Sequence, residues 1–287
     1  MKKHAYLVIA HNEWSLLQTL LSCIDDSRND IFVHIDAKVK QLPELKVSNA
    51  GLQVIEERID VRWGDWTVCE AEYALFRAAA ANGSYAYYHL LSGVDLPLKS
   101  QDWIHDFCAR NEGKEFIGFS HYDGLNEEIR RKVGYRHIFP GDFKNRSSVK
   151  RLLRAAFIRL QMICGVRRNR KVDFRKGTQW VSVTDGFVRE LLARESYCRT
   201  LFNHTFCPDE IYKQTVCWNS PFRKNVFDPG NEGHGCMRAI GWKDGQLYDW
   251  SRSEMNYLCN CDAMLARKFN SSDMDFIRDI MKLSEKK

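Results

Sequence analysis

Six consecutive apolar or aromatic residues, Ala5 to Ala10, set the first clear pattern in this chain. A run with no polar alternation predicts a strand covered on both faces, as in a parallel sheet. Glu13 to Cys23 then places Trp14, Leu17, Leu20 and Leu21 at helical spacing. Ile31 to Ile35 predicts a second strand, ending at Asp36. Gln53 to Ile55, together with Arg58 to Val61, predicts a third strand region. Thr67 to Ala81 reads as an alanine-rich helix stopped by Asn82-Gly83. Tyr85 to Ser92 predicts a fourth strand, followed by Gly93-Val-Asp-Leu-Pro, and Lys114 to Phe119 a fifth. Strands alternating with helices predict an α/β fold, a mostly parallel sheet with helices on both faces.

In such sheets ligands bind at the carboxyl ends of the strands. His11-Asn12, His34 to Asp36, and Asp95 stand at three of these ends. Each alone reads as a cap or turn residue; together they outline a crevice of nucleotide size. There is no GxGxxG and no Walker P-loop, so dinucleotide and ATP sites have no support. A second feature is Cys207-Pro-Asp-Glu, downstream of Lys176-Gly-Thr-Gln-Trp-Val-Ser-Val. Pro208 fixes its own φ and drives Cys207 out of the right-handed helical region, so Asp209 and Glu210 are expected at the start of a new helix. A carboxylate there feels the positive helix end and stays ionised near neutral pH. That is the state a general base requires. An ordinary N-terminal cap is the plainer alternative.

Composition narrows the class. The chain has 287 residues, 44% of them hydrophobic and 12% aromatic, enough for a substantial core in one large domain or two small ones. No run approaches the roughly 18 apolar residues of a membrane span. The N-terminal apolar stretch is too short for a signal peptide, so a cytoplasmic protein is expected. Of the ten cysteines, Cys23, Cys69, Cys108 and Cys164 are isolated within apolar patterns and read as small hydrophobes. Cys259 and Cys261 have no second pair at zinc-finger spacing. Free thiols in a reducing compartment are expected.

Charge is unevenly spread. The chain is net +6, yet residues 144–176 hold twelve Lys and Arg against one acid, Asp173. The remainder is therefore net acidic. Within the basic stretch Leu152, Leu153, Ala156, Phe157, Leu160 and Ile163 recur at helical spacing. A basic amphipathic helix suits an anionic membrane surface. Nucleic acid is a competing partner, and a helix packed on the core with a solvated basic face is a third reading.

Seven short motifs stand in order: the Ala5 to Ala10 strand, Val33-His-Ile-Asp-Ala-Lys, Trp63-Gly64, Ser92-Gly-Val-Asp-Leu-Pro-Leu-Lys, Gly177-Thr-Gln-Trp, Pro208-Asp-Glu and Leu265-Ala-Arg-Lys-Phe. With these the chain resembles the core-2/I-branching β-1,6-N-acetylglucosaminyltransferases, glycosyltransferase family 14, which also includes the peptide xylosyltransferases. The resemblance runs from about Tyr6 to about Phe269, and the lack of an anchor and stem resembles bacterial members. It implies a GT-A-type fold over the whole chain. A nucleotide-binding half would span 1–120 and an acceptor-binding half 121–270, which includes the basic segment; a helical tail would span 271–287.

The resemblance further implies an inverting transfer of a sugar, GlcNAc or xylose, from a UDP-sugar to a glycan, with no metal and no other cofactor. Ordinary GT-A enzymes hold a divalent ion with Asp-x-Asp; Leu91-Ser-Gly-Val-Asp-Leu has a single Asp, and Asp273-Met-Asp275, in the tail, reads as a solvated helix face. Glu210 matches the family's catalytic base, with Asp209 as a cap. Lys268 matches its diphosphate-binding lysine, with Arg252 as the partner arginine and Arg238 the other choice. His11 and Asp36 match contacts to the uracil and ribose, and Asp95 and Trp63 lie near the nucleotide or its sugar. Glu115, Trp180 and Trp242 match the acceptor region, although Trp180 also reads as core packing.

Three features depart from the family: the free cysteines, the long basic stretch, and a short segment from Trp242 to Met255 without a Pro-rich turn. The expected role is surface polysaccharide synthesis with a lipid-linked oligosaccharide acceptor, the basic helix touching the inner membrane face, and no nucleic acid. A nucleic-acid-binding protein, an inactive glycan-binding module of the same fold and a metal-dependent transferase are the rivals.

Overall fold

The computed structural model describes residues 2–142, 148–243 and 245–285; Lys144 and Arg146 of the basic stretch lie outside the described residues. In chain order the strands and helices are β1 (His4–Ala10), α1 (Trp14–Cys23), β2 (Asn29–Ile35), β3 (Gly51–Val54), α2 (Thr67–Asn82), β4 (Tyr87–Ser92), β5 (Leu96–Pro97), α3 (Gln101–Arg110), α4 (Leu125–Val133), α5 (Ser148–Ile163), β6 (Ser182–Thr184), α6 (Asp185–Ala193), α7 (Glu195–Phe202), α8 (Tyr212–Trp218), α9 (Glu232–Cys236), β7 (Arg238–Ile240), β8 (Trp242–Lys243), β9 (Gln246–Leu247), α10 (Met255–Asn260), β10 (Leu265–Arg267) and α11 (Met274–Glu285).

The main sheet has the order β3-β2-β1-β4-β6. Its first four strands are mutually parallel, and β6 runs antiparallel to β4. Successive side chains of a strand point to opposite faces. On β1, Ala5 and Leu7 enter one core cluster, while Tyr6, Val8 and Ala10 enter another. Both faces are covered, which is why no polar residue interrupts this strand. Helices α2, α6, α7 and α8 build the first cluster. The second is built by α1, α3, α11 and a small sheet of order β5-β10-β7. β8 and β9 form a hairpin. All ten cysteines are free thiols.

Two predicted strands come out differently. The third is Gly51–Val54 alone. Residues 58–61 lie across the end of β2 without a ladder: Arg58 donates to the Ile35 and Asp36 carbonyls, and Ile59 N donates to His34 Nε2. Side-chain bonds there replace strand pairing. Lys114 to Phe119 makes only isolated bridges, Glu115 with Val226 and Phe116 with Ser182. A tight turn explains this, since Ile117 N donates to the Glu115 carbonyl two residues back and breaks the ladder.

The basic helix does not pack on the core. No residue of α5 joins either cluster, and Val149, Leu152, Leu153, Leu160, Met162 and Ile163 are exposed. Polar contacts hold it instead. Gln161, its one buried residue, accepts from Arg136 N and donates to the Arg136 carbonyl. Lys150 pairs with Asp142 at 2.6 Å.

One ion pair lies wholly inside the first core cluster's side of the sheet. Glu72 on α2 and Lys213 on α8 are both 0% exposed and in contact. Tyr212 Oη and Gln179 Nε2 also donate to Glu72, and Lys213 Nζ donates to the Asp209 carbonyl at 3.1 Å. Removing one member of a buried pair leaves an uncompensated charge, at about 3–5 kcal/mol. Lys213→Met is expected to lower unfolding free energy by about that amount in a urea titration. Glu72→Gln combined with Lys213→Met is expected to lose less than Lys213→Met alone.

Candidate active site

The strand ends of both sheets meet at one edge of the molecule's main sheet. Past β4 the chain turns sharply, and Ser92 N and Oγ donate to the two oxygens of buried Asp95 at 2.9 and 2.7 Å. The same carboxylate holds Arg267, at the end of β10, through NH1 at 2.8 Å. The guanidinium lies over the Trp180 ring, 4.2 Å from its centroid. Arg267 was not among the residues singled out from sequence; its adjacency to Lys268 was the available signal. Lys268 itself pairs with Asp249 at 2.9 Å and is about one-third exposed, as 31% of its side-chain surface is open. Asp36 ends β2 nearly buried, accepting from Lys38 N and pairing with Lys38 Nζ at 2.8 Å. His11 is exposed just past β1.

A second cluster centres on Glu210, which is 32% exposed. Lys132 Nζ and Lys176 Nζ both approach its Oε2, at 3.3 and 3.6 Å. Among the described residues no protein group bonds Oε1. Lys132 also meets Glu128 at 3.0 Å, and Tyr122 Oη donates to that same glutamate. Burial pulls the Lys132 ammonium down in pKa, but Glu210 and Glu128 more than offset it, and the net shift is upward. Neither lysine's part here, nor Glu128's, was read from the sequence, because their partners are distant along the chain. Glu232 is a further carboxyl close by, pushed up by burial although Ser120 Oγ donates to it at 2.9 Å.

A short strap joins the two clusters. Gly177 N donates to the Glu210 carbonyl at 2.9 Å, and three residues on Trp180 carries Arg267. Three residues of extended chain reach at most about 11 Å. The strap lies so close to Gly118 that a Cβ on Gly177 would stand 1.9 Å from the Gly118 carbonyl oxygen. Gln214 Nε2 fixes it further by donating to the Thr178 carbonyl at 2.7 Å.

Several expected positions change meaning. Pro208–Glu210 forms a single 3-10 turn, with Cys207 at φ 49, and α8 starts afresh at Tyr212. One turn carries little dipole, and Asp209 is buried, which opposes ionisation of its carboxyl, the reverse of an acid at an exposed helix start. Burial, with Glu210 and Glu72 adding, pushes it up to about 7. Nor does it cap: Asp209 Oδ1 is buried without a hydrogen bond.

Glu115, expected at the acceptor, is 0% exposed. It accepts from Thr184 N at 2.9 Å and Thr184 Oγ1 at 2.6 Å and so anchors the start of α6. Trp180 is only 6% exposed and does pack in the core, offering one face to Arg267. Trp63, expected by the nucleotide, lies against Phe206 beside the Glu210 turn, ring centroids 5.6 Å apart. Trp242 is exposed on the β8–β9 hairpin. Arg252 is engaged by Asp279 at 2.7 Å and by Asp273. Arg238 is buried beneath the sheet, donating to Ser182 Oγ. Asp273 caps α11 through Phe276 N, and Asp275 pairs with Arg278.

A cavity of about 410 Å³ is lined by Asp65–Thr67, Glu70, His137–Pro140, Asn203 and His204. His4, His89 and Cys108 are a buried set whose ligand atoms lie within 4.8 Å of one another. They sit near the opposite end of β1 from the crevice, about 20 Å along the strand at 3.3 Å per residue. At the crevice itself Asp95 and Asp36 already face Arg267 and Lys38.

A mostly parallel sheet flanked by helices, with polar clusters at the carboxyl ends of its strands, is the framework of a GT-A-like glycosyltransferase. A family model, that of the Core-2/I-Branching enzyme, matches residues 4–269. The chain belongs to the core-2/I-branching enzyme family and is a glycosyltransferase of that type. No curated protein matches it significantly.

Burial raises the Glu115 carboxyl from 4.5 to about 7, partly opposed by the bonds from Thr184. The folded value exceeds the unfolded one, so its contribution is complete below about pH 4.5 and is lost as pH rises through 7. Wild type is expected to lose about 3 kcal/mol over that interval through this group. Glu115→Gln, neutral throughout, is expected to flatten that loss in urea titrations at pH 5 and 8.

Proposed function

We propose that the protein is an inverting, metal-independent transferase that moves a sugar, GlcNAc or xylose, from a UDP-sugar to a glycan acceptor. The observation that carries this is the pairing of a solvent-reachable carboxylate with a cationic cluster across one short strap. Glu210 Oε1 takes the proton of the acceptor hydroxyl. The acceptor oxygen forms its bond to the anomeric carbon from the side opposite the diphosphate, and the bond to UDP breaks with inversion. Charge then develops on the leaving diphosphate, and Lys268 and Arg267 meet it. Arg267 takes the partner role because it adjoins Lys268 at the end of β10 and is held by Asp95 and Trp180 at the end of β4, whereas Arg252 lies against α11 through Asp273 and Asp279 and Arg238 is buried.

The remaining assignments follow the resemblance and the strand ends. His11 and Asp36 address the nucleoside, and Asp95 holds Arg267 in place. Trp63, beside the Glu210 turn, offers an aromatic face to the nucleotide or its sugar, and exposed Trp242 offers one to the acceptor. The neutralised state of Asp95 and Asp36 supports metal-free handling of the diphosphate, since each carboxylate already has a cation. Ten free thiols, with Cys164 and Cys259 exposed, suit a reducing compartment and hence a cytoplasmic enzyme; the role in bacterial surface polysaccharide synthesis follows the resemblance alone.

Glu210→Gln is expected to reduce transfer by about 10²–10⁴-fold while leaving the affinity for UDP unchanged by calorimetry. Full activity in that variant would exclude the base. Lys268→Ala is expected to weaken UDP-sugar binding at least about tenfold, one lost charge-assisted contact. In a thermal-shift assay UDP and one UDP-sugar are expected to stabilise the wild-type protein equally with and without EDTA; abolition by EDTA would overturn the metal-free mechanism.

A further inference from the structure

α5 turns its apolar side away from the protein. Val149, Leu152, Leu153, Ala156, Leu160 and Ile163 recur at three- and four-residue steps, which place them on one stripe of a helix. Every one of them is exposed, Leu152 at 70% and Ile163 at 83%. Single exposed apolar residues are ordinary on a protein surface. A continuous stripe about 21 Å long, at 1.5 Å per residue from Val149 to Ile163, marks an interaction surface. The helix is held from its other side by polar contacts, so the stripe has no partner within the described protein.

Charge selects the occupant. Residues 148–171 contain no Asp or Glu. Arg151 and Arg159 are exposed near the stripe, and exposed Arg167, Arg170 and Lys171 continue the positive surface. Basic side chains at the level of lipid phosphates, with an apolar stripe entering about 5–10 Å below them, is the arrangement of an interfacial helix on an anionic bilayer. A second copy of the chain fits poorly, because its own arginines would face these with no acid to meet them. Nucleic acid would engage the arginines and leave the stripe in water.

Placement ties the surface to the site. α5 packs on residues 136–142 through Gln161, Lys150 and Arg154. That segment abuts Arg62 and Asp65 at Gly141, and Gly64 lies against Phe206 and bonds Cys207 N. The docked helix is thus three packing contacts from the Glu210 turn. We infer that α5 lays its Val149–Ile163 stripe into an anionic bilayer and holds the Glu210 side of the site at that surface, where the acceptor is a lipid-linked glycan. The acceptor clause rests on the transferase proposal; the docking does not.

The test is co-sedimentation of the full chain with phosphatidylcholine vesicles containing about 30% phosphatidylglycerol, an anionic surface, and with pure phosphatidylcholine vesicles. Binding to the anionic vesicles that falls with salt is expected. Combining Leu152→Ser, Leu160→Ser and Ile163→Ser is expected to reduce partitioning at least about tenfold, with thermal unfolding unchanged because these side chains are exposed. Arg151→Gln with Arg159→Gln is expected to weaken binding and flatten its salt dependence. The proposal falls if wild type stays in the supernatant, or if the triple variant binds vesicles as wild type does. It also falls if gel filtration shows that the stripe holds a dimer which the triple variant dissolves, or if the arginines serve only an added oligonucleotide. Glu210→Gln should sediment like wild type, so loss of docking and loss of catalysis are read separately.

Discussion

The Gly177–Trp180 strap presses against Gly118 so closely that no side chain fits at Gly177. The rest of the site is arranged around that approach. At one end the strap receives the Glu210 carbonyl through Gly177 N; at the other Trp180 supports Arg267. Between them Gln179 reaches Glu72 and Gln214 reaches the Thr178 carbonyl. The buried Glu72–Lys213 pair then fixes the Asp209 carbonyl, one residue before Glu210. The Glu210 turn and the Arg267–Lys268 pair, contributed by distant parts of the chain, are thereby tied to the two ends of one four-residue strap by backbone contact and a buried charge pair, both of which yield little.

Electrostatics divide the molecule along similar lines. At the strand ends the carboxylates Asp95, Asp36 and Asp249 are matched by Arg267, Lys38 and Lys268. Around Glu210 the order is reversed: two lysines converge on one oxygen of a single carboxylate. A third zone, α5, is positive with an apolar stripe and takes no part in either core cluster. The net charge of the chain conceals these three environments, since their signs partly cancel.

The main elements were legible before the structure because their physics is local. β1 shows as an unbroken apolar run, α1 and α2 by period, and β2 and β4 by the polar residues that end them. The failures are also instructive. Residues 58–61 have strand-like composition but are held by the Arg58 side chain. Residues 114–119 are split by a turn at Glu115–Ile117. Asp209 and Glu210 are neighbours of like chemistry, yet one is buried and raised to about 7 while the other is open to solvent. No spacing rule distinguishes them, because burial depends on what packs from elsewhere.

By itself the sequence determined the alternation of strands and helices, the strand ends where polar residues collect, the excess of positive charge in 144–176 and the membership of the family through its ordered motifs. These depend on near-neighbour periodicity and on residue identity. Only the tertiary structure decided that Arg267 meets Asp95, that Glu115 is buried and anchors a helix, that Lys132 and Lys176 converge on Glu210, and that α5 presents its apolar stripe outward. Each of those depends on contacts between residues far apart in the chain, where burial and long-range pairing override the preference of any local segment.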